Sequence, residues 1–138
     1  VARMTVENRR APGFYGAKVE DWVLDHYGLE RSYEPVNGAR MDAVVPENGQ
    51  PVEIKAVALN RKGGRRNETR FKIWRDQHEA LDEAGGYYVF VAYYLRSEGI
   101  AVQDAQSLRA SSLNIDWYGD TVPRGSEQAE LPARRLFG

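Results

Sequence analysis

Apolar positions along the chain change period several times, and each change marks a predicted element. From Gly13 to Tyr27, the residues Gly13, Gly16, Ala17, Val23, Leu24 and Tyr27 recur at helical spacing, with Gly28 as the stop. Two runs rich in Val and Ile, Met41 to Val45 and Val52 to Leu59, flank Pro46-Glu47-Asn48-Gly49-Gln50-Pro51, whose Asn-Gly pair favours a tight turn; together they predict a hairpin. A second helix is predicted from about Phe71 or Ile73 to Ala84, with Ile73, Ala80, Leu81 and Ala84 on its apolar face and Gly85-Gly86 at its end. The nearly continuous β-branched and aromatic run Tyr87 to Leu95 has the pattern of a central strand covered on both faces. Strand, helix, strand makes a βαβ unit, so this run is expected parallel to Val52 to Leu59 through a right-handed crossover. Ile100 to Ala105 predicts a further edge strand. Beyond Ser107 the pattern fades: Leu113 to Tyr118 reads as a short strand and Gly125 to Pro132 as loop or tail.

Polar residues interrupt these patterns at informative places. With Asn48 and Gly49 at the turn centre, Asp42 lies opposite Lys55 and Val44 opposite Glu53, and alternation puts Asp42, Glu53 and Lys55 on one face. Pro46 and Pro51 would confront each other in that register, so a loop wider than the ideal turn is expected. Glu20 sits at i+3 from Ala17 and i−4 from Leu24, on the core side of the first helix, where an ionised carboxylate is costly unless paired or metal-bound. Gln77 shares the face of Ile73 and Leu81 and needs a partner there. Asp21 and Asp25 read as solvated. His78, one turn after Trp74, reads as a satisfied or half-exposed histidine with no assigned role.

A chain of 138 residues suits one core and one domain, built on residues 13–105 with 106–138 as a C-terminal extension or tail. With no cysteine and only two histidines, His26 and His78, a metal must be held mainly by oxygen, which suits magnesium, manganese or calcium. No apolar run approaches the roughly 20 residues of a membrane span, and no signal-peptide core is seen, so a cytoplasmic, membrane-free protein is expected. The formal net charge of −1 argues against an evenly basic surface, yet seven of the nineteen cations fall between Arg61 and Arg75 around Gly63-Gly64. A solvated loop is the usual reading of such a run, and its position next to a carboxylate cluster points to phosphate contact.

An α-β-β-β-α-β order with Asp42 on one strand, Glu53-Ile54-Lys55 on the next, Glu20 on the preceding helix and Gln77 on the following one resembles the PD-(D/E)xK nuclease superfamily. The resemblance covers about residues 13 to 105. The pattern Gly16-x3-Glu20, Gly38, Asp42, Glu53-Ile54-Lys55 and Gln77 is most similar to archaeal Holliday-junction resolvases, with small restriction endonucleases close in size; Met41 stands where the superfamily's name has proline. The resemblance implies an α/β, restriction-endonuclease-like fold, a mixed central sheet flanked by helices. It implies magnesium, with manganese as a substitute, held by Asp42, Glu53, the Ile54 carbonyl and Glu20. Lys55 would orient or deprotonate the attacking water and Gln77 would position water or phosphate, leaving a 5′-phosphate and a 3′-hydroxyl. Arg40, Arg61, Lys62, Arg65, Arg66, Arg70 and Lys72 are the expected contacts to DNA, duplex or branched, and a homodimer is expected because one site cuts one strand. A site-specific restriction-type enzyme, a catalytically silent DNA-binding member and an RNA-processing nuclease are the alternatives. The Asp42, Glu53 and Lys55 side chains are expected to point to the face where Glu20 lies, with the Arg61 to Lys72 loop at the edge of the site.

Overall fold

The computed structural model describes residues 12–59, 69–121 and 126–137. Helix α1 (Pro12–Tyr27) ends at Gly28, whose φ of 67° lets Leu29 N–H reach back to the Leu24 carbonyl at 2.9 Å, closing the helix with the six-residue C-terminal bond that glycine permits. Its buried stripe is Val19 and Val23, one turn apart, while Gly16 and Ala17 of the expected stripe are exposed. Strands β1 (Glu30–Arg31), β2 (Ala43–Val44) and β3 (Pro51–Ala58) follow, then β4 (Arg70–Trp74), α2 (Arg75–Glu83), β5 (Tyr87–Arg96) and β6 (Gly99–Arg109). A 3₁₀ turn at Ala110–Ser112 leads to β7 (Tyr118–Thr121), β8 (Ser126–Pro132) and a short α3 (Ala133–Phe137).

Five strands form a mixed sheet in the order β1-β2-β3-β5-β6, and β4-β8-β7 form a second, three-stranded sheet. β3 and β5 are parallel, with Val52 beside Tyr87 and Ala58 beside Tyr93; β6 is antiparallel to β5 and closes that edge. β5 is the central strand that its composition predicts: Tyr88 and Phe90 enter one core and Val89 and Val91 the other, each at most 1% exposed. Under α1 lie Val19, Val23, Ala43, Val52, Val89 and Val91; on the other face Phe71, Ile73, Leu81, Tyr88, Phe90 and Leu131 pack beneath α2 and the small sheet. Between α2 and β5 the chain passes so close to β3 that a Cβ at Gly86 would sit 2.6 Å from the Pro51 carbonyl, so only glycine fits.

Four expectations are corrected here. Residues 70–74 are a strand, not the start of the second helix: Phe71 and Ile73 are buried while Arg70 and Lys72 are exposed, a period of two that a helix cannot produce. Their partner is β8, where a loop or tail was expected; Ala129 and Leu131 face the core opposite Ile73 and Phe71. Leu113 to Trp117 is not a strand, and β7 begins only at Tyr118. The β2–β3 hairpin is also shifted by two residues, pairing Ala43 with Val52 and Val44 with Pro51. Val45 N–H bonds the Gln50 carbonyl at 2.9 Å around a four-residue loop, residues 46–49, which separates the two prolines by one pairing step. No helix among the described residues is long and apolar enough to cross a membrane.

Candidate active site

Because the hairpin is shifted by an even number of residues, side-chain alternation survives: Asp42, Glu53 and Lys55 still share one face. Glu53 and Lys55 stand beside Tyr88 and Phe90, hence on the α2 side of the sheet, and α1 packs on the opposite side. Pairing between β2 and β3 stops at Ala43, and Asp42 replaces the missing strand partner with its carboxylate: Oδ2 accepts the Ile54 N–H at 2.8 Å. In a strand the amide and carbonyl of one residue point to the same neighbour, so the Ile54 carbonyl faces that gap too.

Glu53 is 6% exposed, and its Oε1 has no hydrogen-bond partner among the described residues. Burial, with Asp42 close by, pushes its carboxyl up to about 8 from an ordinary 4.5; Lys55, whose Nζ is 3.5 Å from Glu53 Oε2, opposes this only partly. The same Nζ lies 3.5 Å from Gln77 Oε1, at the outer limit of a hydrogen bond, so α2 delivers the half-buried amide to the lysine. His78, the next residue, takes no part. It is 8% exposed, its Nδ1 is 2.9 Å from the Tyr88 hydroxyl, and its ring lies against Tyr88 and Trp117. Burial lowers its pKa and raises that of Tyr88, so a neutral imidazole and a neutral phenol share this hydrogen bond.

Glu20 reaches the same space from the other side of the gap. It lines a cavity of about 350 Å³ with Asp42, Glu53, Gln77, Arg31 and Arg40. Its carboxylate is not free, however: Arg31 Nη1 donates to Glu20 Oε1 at 2.8 Å and Nη2 to Asp21 Oδ1 at 2.7 Å, so Asp21 is paired rather than merely solvated. The Glu20 bond holds Arg31 above its ordinary pKa.

Residues 5–138 match the PD-(D/E)XK nuclease superfamily domain. The chain belongs to this superfamily. No curated protein and no solved structure matches it. Its α/β architecture, a mixed five-stranded sheet with few helices, is consistent with the superfamily's restriction-endonuclease-like fold.

Nucleases of this superfamily typically use divalent metals, and the residues present suit one. A buried carboxylate with an orphaned oxygen beside a second carboxylate and a backbone carbonyl is an oxygen donor set for a hard cation, and magnesium commonly binds one or two carboxylates together with substrate phosphate. Among the described residues no group of three His, Asp or Glu is gathered tightly enough to hold an ion, and Glu20 is turned to Arg31.

Of the basic residues expected on substrate, Arg40 lines the cavity. Arg70 and Lys72 are exposed on β4, Lys72 lying across from Glu130 and 5.8 Å from the Trp74 ring centre; Arg61, Lys62, Arg65 and Arg66 lie outside the described residues. Arg75 is paired with Glu79 and Glu127. Sequence reasoning missed Arg31 and Tyr33. Their signal was available: Asn37-Gly38 is a second Asn-Gly pair, and the residues around it had to form a turn beside Asp42.

Proposed function

We propose that this protein is a metal-dependent endodeoxyribonuclease in which Asp42, Glu53 and the Ile54 carbonyl hold magnesium, or manganese in its place. The observation that carries the reading is the buried Glu53 carboxyl between Asp42 and Lys55 in an open polar cavity, its Oε1 without a hydrogen-bond partner among the described residues. A stability-driven core has no use for a carboxyl kept near neutrality by burial; a site that must collect a cation does. A bound divalent cation supplies charge cancellation at the phosphodiester and an acidified water. Lys55 holds positive charge where the attacked phosphate becomes more negative and can orient the nucleophilic water; Gln77 fixes the lysine's direction. Glu53 would have to be ionised to hold the cation, so loading would be favoured by rising pH. One such site per chain cuts one strand, so cleavage of both strands calls for two copies, and a branched junction and a linear duplex are the substrates to compare.

A binding-only member of the superfamily is favoured by one observation, the engagement of Glu20 by Arg31 in place of a three-carboxylate cluster. Cleavage of supercoiled plasmid, linear duplex and four-way junction in magnesium separates the readings, with a matched RNA alongside. Lys55→Ala and Asp42→Asn are expected to lose at least about a hundredfold in rate. Wild-type cleavage by either variant sinks the assignment. Calorimetric titration with manganese decides between a loaded enzyme and a binder that has lost its metal site.

A further inference from the structure

Tyr33 is 83% exposed, the exposed large hydrophobic side chain among the described residues. A single exposed aromatic is ordinary. Its setting is not, for three reasons that converge on one ligand chemistry.

The segment that carries it is braced. Val36 and Ala39 exchange both backbone hydrogen bonds, at 2.8 and 2.9 Å, around Asn37 and Gly38, whose φ values of 50° and 83° make the tight two-residue turn that only such residues accept. Asn37 Nδ2 donates to the Ala80 carbonyl on α2 at 3.1 Å, and Ser32 N–H to the Asp42 carbonyl at 3.2 Å. Val36 and Ala39 pack on the core beneath. Tyr33 is therefore held out into solvent on a fixed base.

It also borders two adjoining spaces, the cavity that contains Asp42 and Glu53, and a notch of about 100 Å³ formed with Ser32, Pro35 and Arg40. Arg40 and Met41 line both, so the notch and the acidic site are continuous along the chain that leads to Asp42. Finally, the exposed Arg40 lines both spaces together with Tyr33, whereas Arg31 in the same cavity is held by Glu20 and Asp21. An exposed ring sharing a cavity wall with an arginine, one step from the proposed phosphodiester site, matches a nucleobase attached to its own backbone phosphate.

We infer that Tyr33 stacks on an unpaired base next to the scissile phosphate, with Arg40 on the adjoining backbone, so that the substrate is DNA with single-stranded or frayed character at the cut. The inference rests on the nuclease reading for the phosphate's identity, but a base paired within continuous duplex shows its edges rather than its face, and a fixed tyrosine ring has nothing to stack on there. Duplex DNA is therefore the weaker ligand and a flap, gap or branch the stronger.

Equilibrium binding tests this apart from cleavage. Fluorescence anisotropy with calcium in place of magnesium compares a labelled single strand, a duplex carrying a single-stranded flap and a blunt duplex of the same sequence. The wild-type protein is expected to prefer the first two. Tyr33→Ala should weaken them by roughly tenfold, within the range for one stacked base, and so narrow the preference; Tyr33→Phe should restore it. Equal weakening of all three DNAs, no weakening, failure of phenylalanine to rescue, a wild-type preference for blunt duplex, or binding to RNA alone overturns the inference. A protein that shows the Tyr33-dependent preference but cleaves nothing in magnesium keeps the stacking site and loses the nuclease reading; one that cleaves with no Tyr33 dependence does the reverse.

Discussion

Adjacent residues of β5 serve two regions built on different rules. Val89 and Val91 face a buried layer made mainly of aliphatic side chains under α1, with Val19, Val23 and Val52; Tyr88 and Phe90 face a layer of rings in which His78, Glu53 and Lys55 are also embedded. On the first side shape alone decides what fits. On the second every polar atom needs a partner, and His78 has one in Tyr88 while Glu53 Oε1 has none among the described residues. The contrast separates a buried polar group that specifies packing from one held ready for something the fold does not itself contain.

Substitutions on the two faces should therefore fail in different ways. Lys55→Ala carries the largest effect, a loss of roughly 10²–10⁴ in cleavage rate with unfolding midpoints close to wild type; a variant that unfolds early instead would show that the lysine is structural. Phe90→Ala should cost about 3–5 kcal/mol and Val91→Ala about 2 kcal/mol in denaturant unfolding, and an aliphatic face that proves the costlier one reverses the comparison. Next comes pH. Glu53 holds a proton in the folded protein up to about 8 that the unfolded chain releases near 4.5, so the metal-free protein should lose stability as pH rises across that window and level off above it, by a few kcal/mol in all. Glu53→Gln should flatten that slope while abolishing cleavage; thermal melts at pH 5 and pH 9 read it directly. Smallest is Arg31→Ala, whose solvent-screened pairs with Glu20 and Asp21 should leave the denaturant unfolding midpoint close to wild type.

The strand pattern of β5, the Gly28 and Gly85-Gly86 stops, and the meeting of Asp42, Glu53, Lys55 and Gln77 are legible in the sequence because each rests on local periodicity or on a polar residue out of place. β4 and β8 are not. Ser126–Pro132 has the composition of a loop and becomes a strand only because Ala129 and Leu131 find Ile73 and Phe71, a pairing more than fifty residues apart that no local signal encodes. The same separation hides the register of the hairpin: the prolines warned of a wider loop without saying by how much, and only the even shift kept the three groups on one face. Glu20 was placed in the right cavity for an incomplete reason, since it reaches it across the gap beyond Ala43, bound to an arginine whose position depends on β1 pairing with β2.

The bond from Ile54 N–H to Asp42 Oδ2 has a consequence for how such a protein can decay over generations. Losing Glu53 to a neutral side chain relieves the fold of a desolvated carboxyl, whereas losing Asp42 to alanine strips the acceptor from a backbone amide in the middle of the sheet. A descendant released from any need to cut would shed the glutamate first and keep the aspartate for architecture. In a relative of unknown activity, a surviving aspartate at this position would testify only to the fold, and an intact glutamate to continuing use.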